Sequence, residues 1–217
     1  MEEMNQRSRW DDTYAKNKDF FGAEPSEFGR RAAERMKDHG VKDVLEMGCG
    51  QGRDTLLFLQ KGFKVTALDY AGNCLCQVRR SAEAAGLASH LHTMQNDLRL
   101  GLPFKDGSFD AVYSHMLFTM QLTEKELQEA FREVLRVLRP GGLNIYSVSN
   151  DHDPHFGKGT SMGEDMWQNP MGFVVHYFSE AKVRKMALGA EIVTINEFED
   201  PSPPFTKKLY EVVLRKR

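Results

Sequence analysis

Val44-Leu45-Glu46-Met47-Gly48-Cys49-Gly50-Gln51-Gly52 is a short apolar run that breaks into three alternating glycines, and the helically spaced Asp54-Thr55-Leu56-Leu57-Phe58-Leu59 follows it. The stretch from Asp43 to Met47 is short and apolar enough to be a buried parallel strand. Glycines after it let the backbone turn sharply and approach a ligand with no Cβ in the way. A strand, a ligand loop without a phosphate site and a helix start are therefore expected in succession. Such a turn by itself also serves nicotinamide and flavin enzymes, so its spacing has to decide. A dinucleotide fingerprint needs G-x-G-x-x-G; here the third glycine arrives one residue early and Arg53 stands in its place. Glu46, two residues before the first glycine, is unsuited to cradling an anion and suited to a cationic amino group.

The pattern E-x-G-x-G-x-G resembles the first motif of class I S-adenosylmethionine-dependent methyltransferases, and the likeness can be followed from about Trp10 to the end of the chain. Val65-Thr66-Ala67-Leu68-Asp69 resembles that family's second strand, Met94-Gln95-Asn96-Asp97-Leu98 its third strand and the end of it. Leu102-Pro103-Phe104 and Gly107 to Ser114 resemble the approach to the fourth strand and its body. Glu133 to Leu138 with Arg139-Pro140-Gly141-Gly142 is similar to the helix and turn that lead into the fifth.

This resemblance implies an α/β fold: a Rossmann-like, doubly wound, seven-stranded sheet with a reversed C-terminal β-hairpin. It implies S-adenosyl-L-methionine as cofactor, with Glu46, Gly48, Cys49, Gly50 and Gly52, and Arg53 beside them, around the methionine part. Asp69 would take both ribose hydroxyls, a task a carboxylate suits because it accepts several hydrogen bonds. Asn96, Asp97 and Leu98 would meet the adenine, Tyr70 its edge, and Ser114 the cofactor from the end of the fourth strand.

Composition agrees. A chain of 217 residues suits one α/β domain, here 1–217 with an N-terminal cap segment 1–40 and a lid-like insertion 149–178. A formal net charge of −2 gives no reason to expect a nucleic-acid partner. No apolar run approaches the roughly 18 residues that span a bilayer, and Met1 to Arg9 is too polar for a secretory signal. With three cysteines, Cys49, Cys74 and Cys76, a reduced, cytoplasmic setting is expected, and a monomer or homodimer.

Strand and helix patterns alternate, as in a parallel sheet covered on both faces. Pro25 to His39 reads as an amphipathic helix with Phe28, Ala32 and Met36 on one face, and Ala71 to Ala85 as the helix after the second strand. Thr123 to Leu138 reads as a helix opened by a capping box, Thr123 with Glu126, with Leu127, Phe131, Val134, Leu135 and Leu138 as its buried stripe. Gly189 to Glu197 and Lys207 to Leu214 read as a hairpin whose turn contains Pro201, Pro203 and Pro204.

Two segments break the pattern and are assigned to the substrate side. Trp10 to Gly22 is aromatic and polar together; such a segment folds over the cofactor in similar small-molecule methyltransferases, or it packs simply as a surface helix. The segment from Ser149 is too long for an ordinary connection. Its Phe173-x-x-His176-Tyr177-Phe178-Ser179 resembles the tellurite-resistance and thiol methyltransferase-like branch. Asp151, His152, Asp153 and His155 have plausible ligand chemistry, but Pro154 and nearby glycines favour a turn in which they cap backbone, and no metal is assigned. Tyr14, His115 and His176 are the catalytic candidates: an amine or hydroxyl acceptor needs its proton removed, whereas a thiolate or metalloid does not. His176 is equally well read as a structural histidine. Cys74 and Cys76 diverge around their helix and read as packing residues, and the methionines Met116, Met120, Met162, Met166 and Met171 as a soft pocket or core filling.

The expectation is an S-adenosylmethionine-dependent methyltransferase acting on a small molecule, a thiol, metalloid, amine or hydroxyl. The alternatives are a sensor or regulatory protein that binds the same cofactor without turnover, a protein or RNA methyltransferase, and a nicotinamide-dependent oxidoreductase, the last disfavoured by Arg53 and the terminal hairpin.

Overall fold

The strand β1 (Asp43–Met47) sets the layers, because its side chains alternate between two apolar clusters. Val44 faces one, with Phe28, Phe58 and Tyr113; Leu45 and Met47 face the other, with Val112, Phe131 and Tyr146. A strand buried on both faces belongs inside a parallel sheet. The computed structural model of the chain describes residues 6–202 and 205–217 and places β1 there.

It pairs in parallel with β2 (Lys64–Asp69) and β4 (Phe109–His115), and β3 (Leu91–Gln95) and β5 (Leu138–Ser149) extend the sheet on either side. A C-terminal hairpin, β9 (Glu191–Ser202) and β10 (Phe205–Arg215), completes the order β3-β2-β1-β4-β5-β10-β9, with β10 antiparallel to both neighbours. This is the expected seven-stranded sheet with its reversed terminal strand. The order runs outward in both directions from the junction of β1 and β4, so ligands are expected beyond the carboxyl ends of these strands.

Helices α2 (Glu27–Asp38), α3 (Arg53–Gln60) and α4 (Gly72–Ala84) cover one face; α5 (Glu124–Val137) and α6 (Glu180–Met186) cover the other. Phe28, Ala32 and Met36 are the buried stripe of α2. The capping box of α5 is formed as expected: Thr123 Oγ1 accepts from the Glu126 amide, and the Glu126 carboxylate accepts from the Thr123 amide. Leu127, Phe131 and Val134 are buried, and Phe131 stacks on Phe118 with ring centres 4.5 Å apart.

Two boundaries differ from expectation. Helix α5 passes directly into β5, and Arg139 to Gly142 bulge out of the pairing, so that Phe109 sits opposite Leu138 and Ala111 opposite Leu143. Pro201 lies within β9 rather than in the turn, paired with Thr206. Proline lacks the ladder donor, and β9 is the sheet's edge, where that loss is tolerated. Pro203 and Pro204 lie outside the described residues.

The irregular segments also fold. An N-terminal helix α1 (Gln6–Lys16) precedes the sheet, and the insertion forms a small antiparallel sheet of β6 (Thr160–Gly163), β7 (Met166–Gln168) and β8 (Val174–His176). The two meet: Gln6 Nε2 donates to the Val174 carbonyl at 3.1 Å, Arg9 Nη1 to the Met171 carbonyl at 3.3 Å, and the Trp10 and Phe173 rings lie 5.1 Å apart.

Candidate active site

A cavity of about 1440 Å³ opens beyond the carboxyl ends of β1, β2 and β4, roofed by α1 and the small sheet. Single-ligand pockets run to about 1,000 Å³, so this space is large enough for two ligands side by side.

The glycine loop forms its floor, and its amides decide what it can hold. Gly48 and Cys49 both donate to the Leu68 carbonyl, at 2.8 and 2.9 Å; Gly50 donates to Asp69 Oδ2 at 2.9 Å and Gly52 to the Cys49 carbonyl at 3.0 Å. These four N–H groups are spent within the protein, so they make no nest for a pyrophosphate. The two carboxylates beside them point the same way. Glu46, 3% exposed, accepts a hydrogen bond from Thr55 Oγ1 at 2.6 Å, and burial, with the nearby Asp54 charge, pushes its pKa well up. A cationic ligand group would relieve that cost. Asp69 accepts from Gly50 and Ala71, one backbone amide per oxygen, each at 2.9 Å. Burial raises its pKa to about 6 against these hydrogen bonds. Its remaining lone pairs are left for the cavity.

Other wall groups fit an adenosine-sized ligand with polar edges. The Tyr70 hydroxyl and Trp10 Nε1 are buried without a hydrogen-bond partner, and both residues line the cavity. Tyr14, stacked on Trp10 at 5.4 Å, brings its hydroxyl close enough to the loop that a Cβ on Gly50 would sit 3.1 Å from it. Burial and the Asp69 charge keep the Tyr14 phenol protonated, so it can donate but not act as a base.

Of the expected cofactor residues, Glu46, Gly48, Cys49, Gly50, Arg53, Asp69, Tyr70, Asn96, Asp97 and Leu98 line the cavity. Some have further duties. Arg53 Nη1 donates to the Phe21 carbonyl at 2.8 Å with its guanidinium over the Phe21 ring, so it anchors the N-terminal segment. Asn96 Nδ2 braces the Gly101 carbonyl at 3.0 Å. Both Asp97 oxygens are engaged by Arg99, which holds the carboxyl below its usual range. The Cys49 thiol is pushed up by its hydrogen bond with Cys74 and by burial, so it stays protonated.

Three expected residues stand outside the wall. Gly52 caps α3 with φ +84°, and a Cβ there would lie 2.7 Å from Val78 Cγ2, so it serves the close approach of α3 to α4. Ser114 follows the β4 alternation away from Tyr113, and its buried Oγ has no partner among the described residues. His176 is fully buried: Nδ1 donates to the Leu122 carbonyl at 2.7 Å and Nε2 accepts from Lys182 Nζ at 2.9 Å, with Lys182 also held by Asp165 Oδ2 at 2.7 Å. That clasp fastens the insertion to the turn before α5 and to α6, and with both ring nitrogens engaged it leaves His176 none for the cavity.

His115 does line the cavity, in a fixed tautomer. Ser147 Oγ accepts from the Met116 amide at 3.1 Å; the buried hydroxyl must place its own proton, and His115 Nδ1 lies 2.6 Å away. Nδ1 therefore accepts and Nε2 carries the ring proton. Burial lowers the His115 pKa to about 4, so at neutral pH the ring is an uncharged donor.

Several contributors had little or no signal in the sequence. Gln51 stands in the quoted loop; its Nε2 donates to the Asn17 and Lys18 carbonyls at 2.6 and 2.7 Å and its Oε1 accepts from the Phe20 amide, pinning the N-terminal segment over the site. Asp54 lines the cavity and organises Ser26 and Tyr113, whose hydroxyl donates at 2.7 Å. Asp200 and Lys207 reach the wall from the C-terminal hairpin. Asp153, expected to cap a turn, accepts from the His155 and Lys208 amides, and no metal-binding group of three or more His, Cys, Asp or Glu occurs among the described residues.

Residues 44–142 match the family model described as a methyltransferase domain. The chain is 35% identical over 124 residues to a demethylmenaquinone methyltransferase of Thermus thermophilus, covering 56% of this chain and 53% of that protein. It is 33% identical over 127 residues to a malonyl-[acyl-carrier protein] O-methyltransferase of Enterobacter lignolyticus, covering 57% of this chain and 47% of the relative. The chain thus spans about half the length of the curated relatives it matches. Among solved structures, a Burkholderia thailandensis 1,6-didemethyltoxoflavin-N1-methyltransferase, crystallised with its substrate and S-adenosylhomocysteine, superposes with TM-score 0.73 at 19% identity over 97% of this chain and 86% of that one. TehB from Haemophilus influenzae gives TM-score 0.66 at 20% identity, over 85% and 60%. These structures share the class I methyltransferase fold. No described helix is long and apolar enough to cross a membrane.

Proposed function

We propose that the chain binds S-adenosyl-L-methionine in the cavity and transfers its methyl group to a small acceptor that arrives already ionised, a thiol or a metalloid before an amine or a hydroxyl. The observation that carries this reading is the loop whose amides are satisfied internally beside two buried carboxylates, Glu46 and Asp69. That floor suits a cationic amino group and a ribose, and it rejects a dinucleotide's pyrophosphate.

When bound, the cofactor supplies a methyl group on a sulfonium, already activated toward a nucleophile. The chain's residues position and shield. Asp69 and Asp97 with Leu98 hold the nucleoside end, Glu46 and the loop the amino-acid end. Segment 10–22, pinned by Gln51 and Arg53, and the small sheet close the roof against water. Positioning and exclusion of water are the main levers available.

Proton abstraction finds little support among the three candidates: Tyr14 stays a phenol, His115 stays a neutral donor, and His176 is locked in the clasp. This is why an ionised acceptor is preferred. A single domain, small-molecule acceptors and a reduced cytoplasmic setting complete the reading; the three free cysteines accord with the last.

The test is incubation with methyl-labelled S-adenosylmethionine and matched panels of thiols, metalloid oxyanions, amines and alcohols at pH 7.5. Label should pass to a thiol or metalloid and not to its hydroxyl analogue. Label on the amines or alcohols alone would contradict the acceptor class.

A further inference from the structure

We infer that the acceptor is an organic acid, an apolar body whose carboxylate is received by Lys207 Nζ and the Nε2–H of His115 at the far wall of the cavity; this deepens the methyl-transfer reading and rests on it. Lys207 stands near the start of β10, opposite Asp200 of β9, and both line the cavity. Lys207 is half-buried, and its ammonium makes one hydrogen-bond contact among the described residues, with the Met116 thioether sulfur at 3.8 Å. It forms no ion pair among the described residues. Asp200, Asp153 and Arg53 are the charged groups that act on it, and desolvation outweighs both carboxylates, so that its pKa is lowered. A half-buried ammonium whose hydrogen-bond contact is a sulfur, with Asp200 and Asp153 near but in no ion pair with it, is an incomplete arrangement that an incoming anion would complete.

The second observation is independent of the first. Ser147 fixes the proton of His115 on Nε2, so the neighbouring ring offers a donor rather than an acceptor. Two donors at one wall select an acceptor of hydrogen bonds, and an ammonium among them selects a charged one. Apolar side chains line the same cavity, Met116, Met120, Phe20, Phe21 and Phe173 among them, beside charged ones such as Arg53 and Asp200. An inorganic oxyanion would leave those side chains against water, whereas an organic acid buries them. The mixed chemistry, an ammonium and a ring N–H at one wall of a cavity that also carries soft apolar side chains, points to a carboxylate on a hydrophobic body.

The experiment is calorimetric titration of the full chain with phenylacetate and with its neutral isostere phenylacetamide, each with and without S-adenosylhomocysteine, repeated on Lys207→Met. The acid should bind the wild-type protein at least about tenfold more tightly than the amide, the scale of one hydrogen bond to a charged group. Lys207→Met should erase the preference while leaving affinity for S-adenosylhomocysteine within twofold, which also shows that the variant folds. Equal affinity for acid and amide in the wild-type protein, or a preference that survives in the variant, would overturn the assignment. Displacement of phenylacetate by inorganic phosphate at equal concentration would overturn the organic-acid part. Carboxylate preference without any binding of S-adenosylhomocysteine would instead uphold the anion pole and refute the methyl-transfer reading.

Discussion

Asp69→Ala tests the nucleoside half of the site. The carboxylate ties the glycine loop at Gly50 to the start of α4 at Ala71, one amide on each oxygen at 2.9 Å, and is assigned two ribose hydroxyls on the lone pairs that remain. Losing hydrogen bonds to a charged acceptor costs about 1.5–3 kcal/mol each, so removing two ligand contacts weakens S-adenosylhomocysteine by about 3 kcal/mol or more, at least roughly a hundredfold in Kd. The two freed amides, of Gly50 in the loop and of Ala71 at the start of α4, belong to buried residues, which adds a loss of about 1–3 kcal/mol in the unfolding free energy. Calorimetry reads the first effect and urea unfolding the second. The two must appear together: a Kd within threefold of wild type, with the stability loss present, would show that Asp69 organises the loop and never meets the ligand, and the ribose assignment would fall.

The same carboxylate makes binding depend on pH. With the Asp69 pKa at about 6 in the free protein, affinity for S-adenosylhomocysteine should be flat above pH 7 and fall as the group protonates below 6. The sign follows because a raised pKa lets the free protein take up a proton that the bound form, which uses the carboxylate, must release. Glu46, also raised, acts in the same direction; Tyr14, Tyr70 and Cys49 are pushed up and do not titrate in that range. Calorimetry between pH 5 and 8 should show a flatter profile in Asp69→Ala, and a constant wild-type affinity over that range would count against the mechanism. Phe131→Ala should cost about 3–5 kcal/mol in urea unfolding, since it empties a fully buried site between Phe118 and Tyr146. A loss under 1 kcal/mol would mean that α5 packs differently. Gly52→Ala should destabilise by about 1–3 kcal/mol, and adding Val78→Ala should recover the steric share, because Val78 Cγ2 is the atom the new Cβ meets. Strictly additive losses in the double variant would refute that contact.

The parts of this molecule that were legible in its sequence are those fixed by neighbours in the chain. The strand, glycine loop and helix of residues 43–60 follow from local apolar patterning and from backbone turns, and the α5 start follows from Thr123 and Glu126 three residues apart. Asp69 could be placed because it ends a strand next to that loop. What stayed hidden depends on partners far along the chain. His176 looked available until Lys182 and the Leu122 carbonyl occupied both its nitrogens. Ser114 sits one residue from His115, and strand alternation alone sends the two to opposite faces. Lys207 carries no local signal at all: its place at the cavity is set by the register of an edge hairpin in which Pro201 remains in the strand. Gln51 and Arg53 were readable as loop residues, but their carbonyl partners at 17–21 were not.

The central claim is that this loop receives S-adenosylmethionine rather than a dinucleotide, and calorimetric titration of the full chain with S-adenosylhomocysteine and, separately, with NAD tests it most directly. Micromolar, one-to-one binding of S-adenosylhomocysteine with no heat from NAD is the predicted result. Binding of NAD with none of S-adenosylhomocysteine would contradict the account, because the Gly48, Cys49, Gly50 and Gly52 amides that would have to cradle a pyrophosphate are already satisfied within the protein.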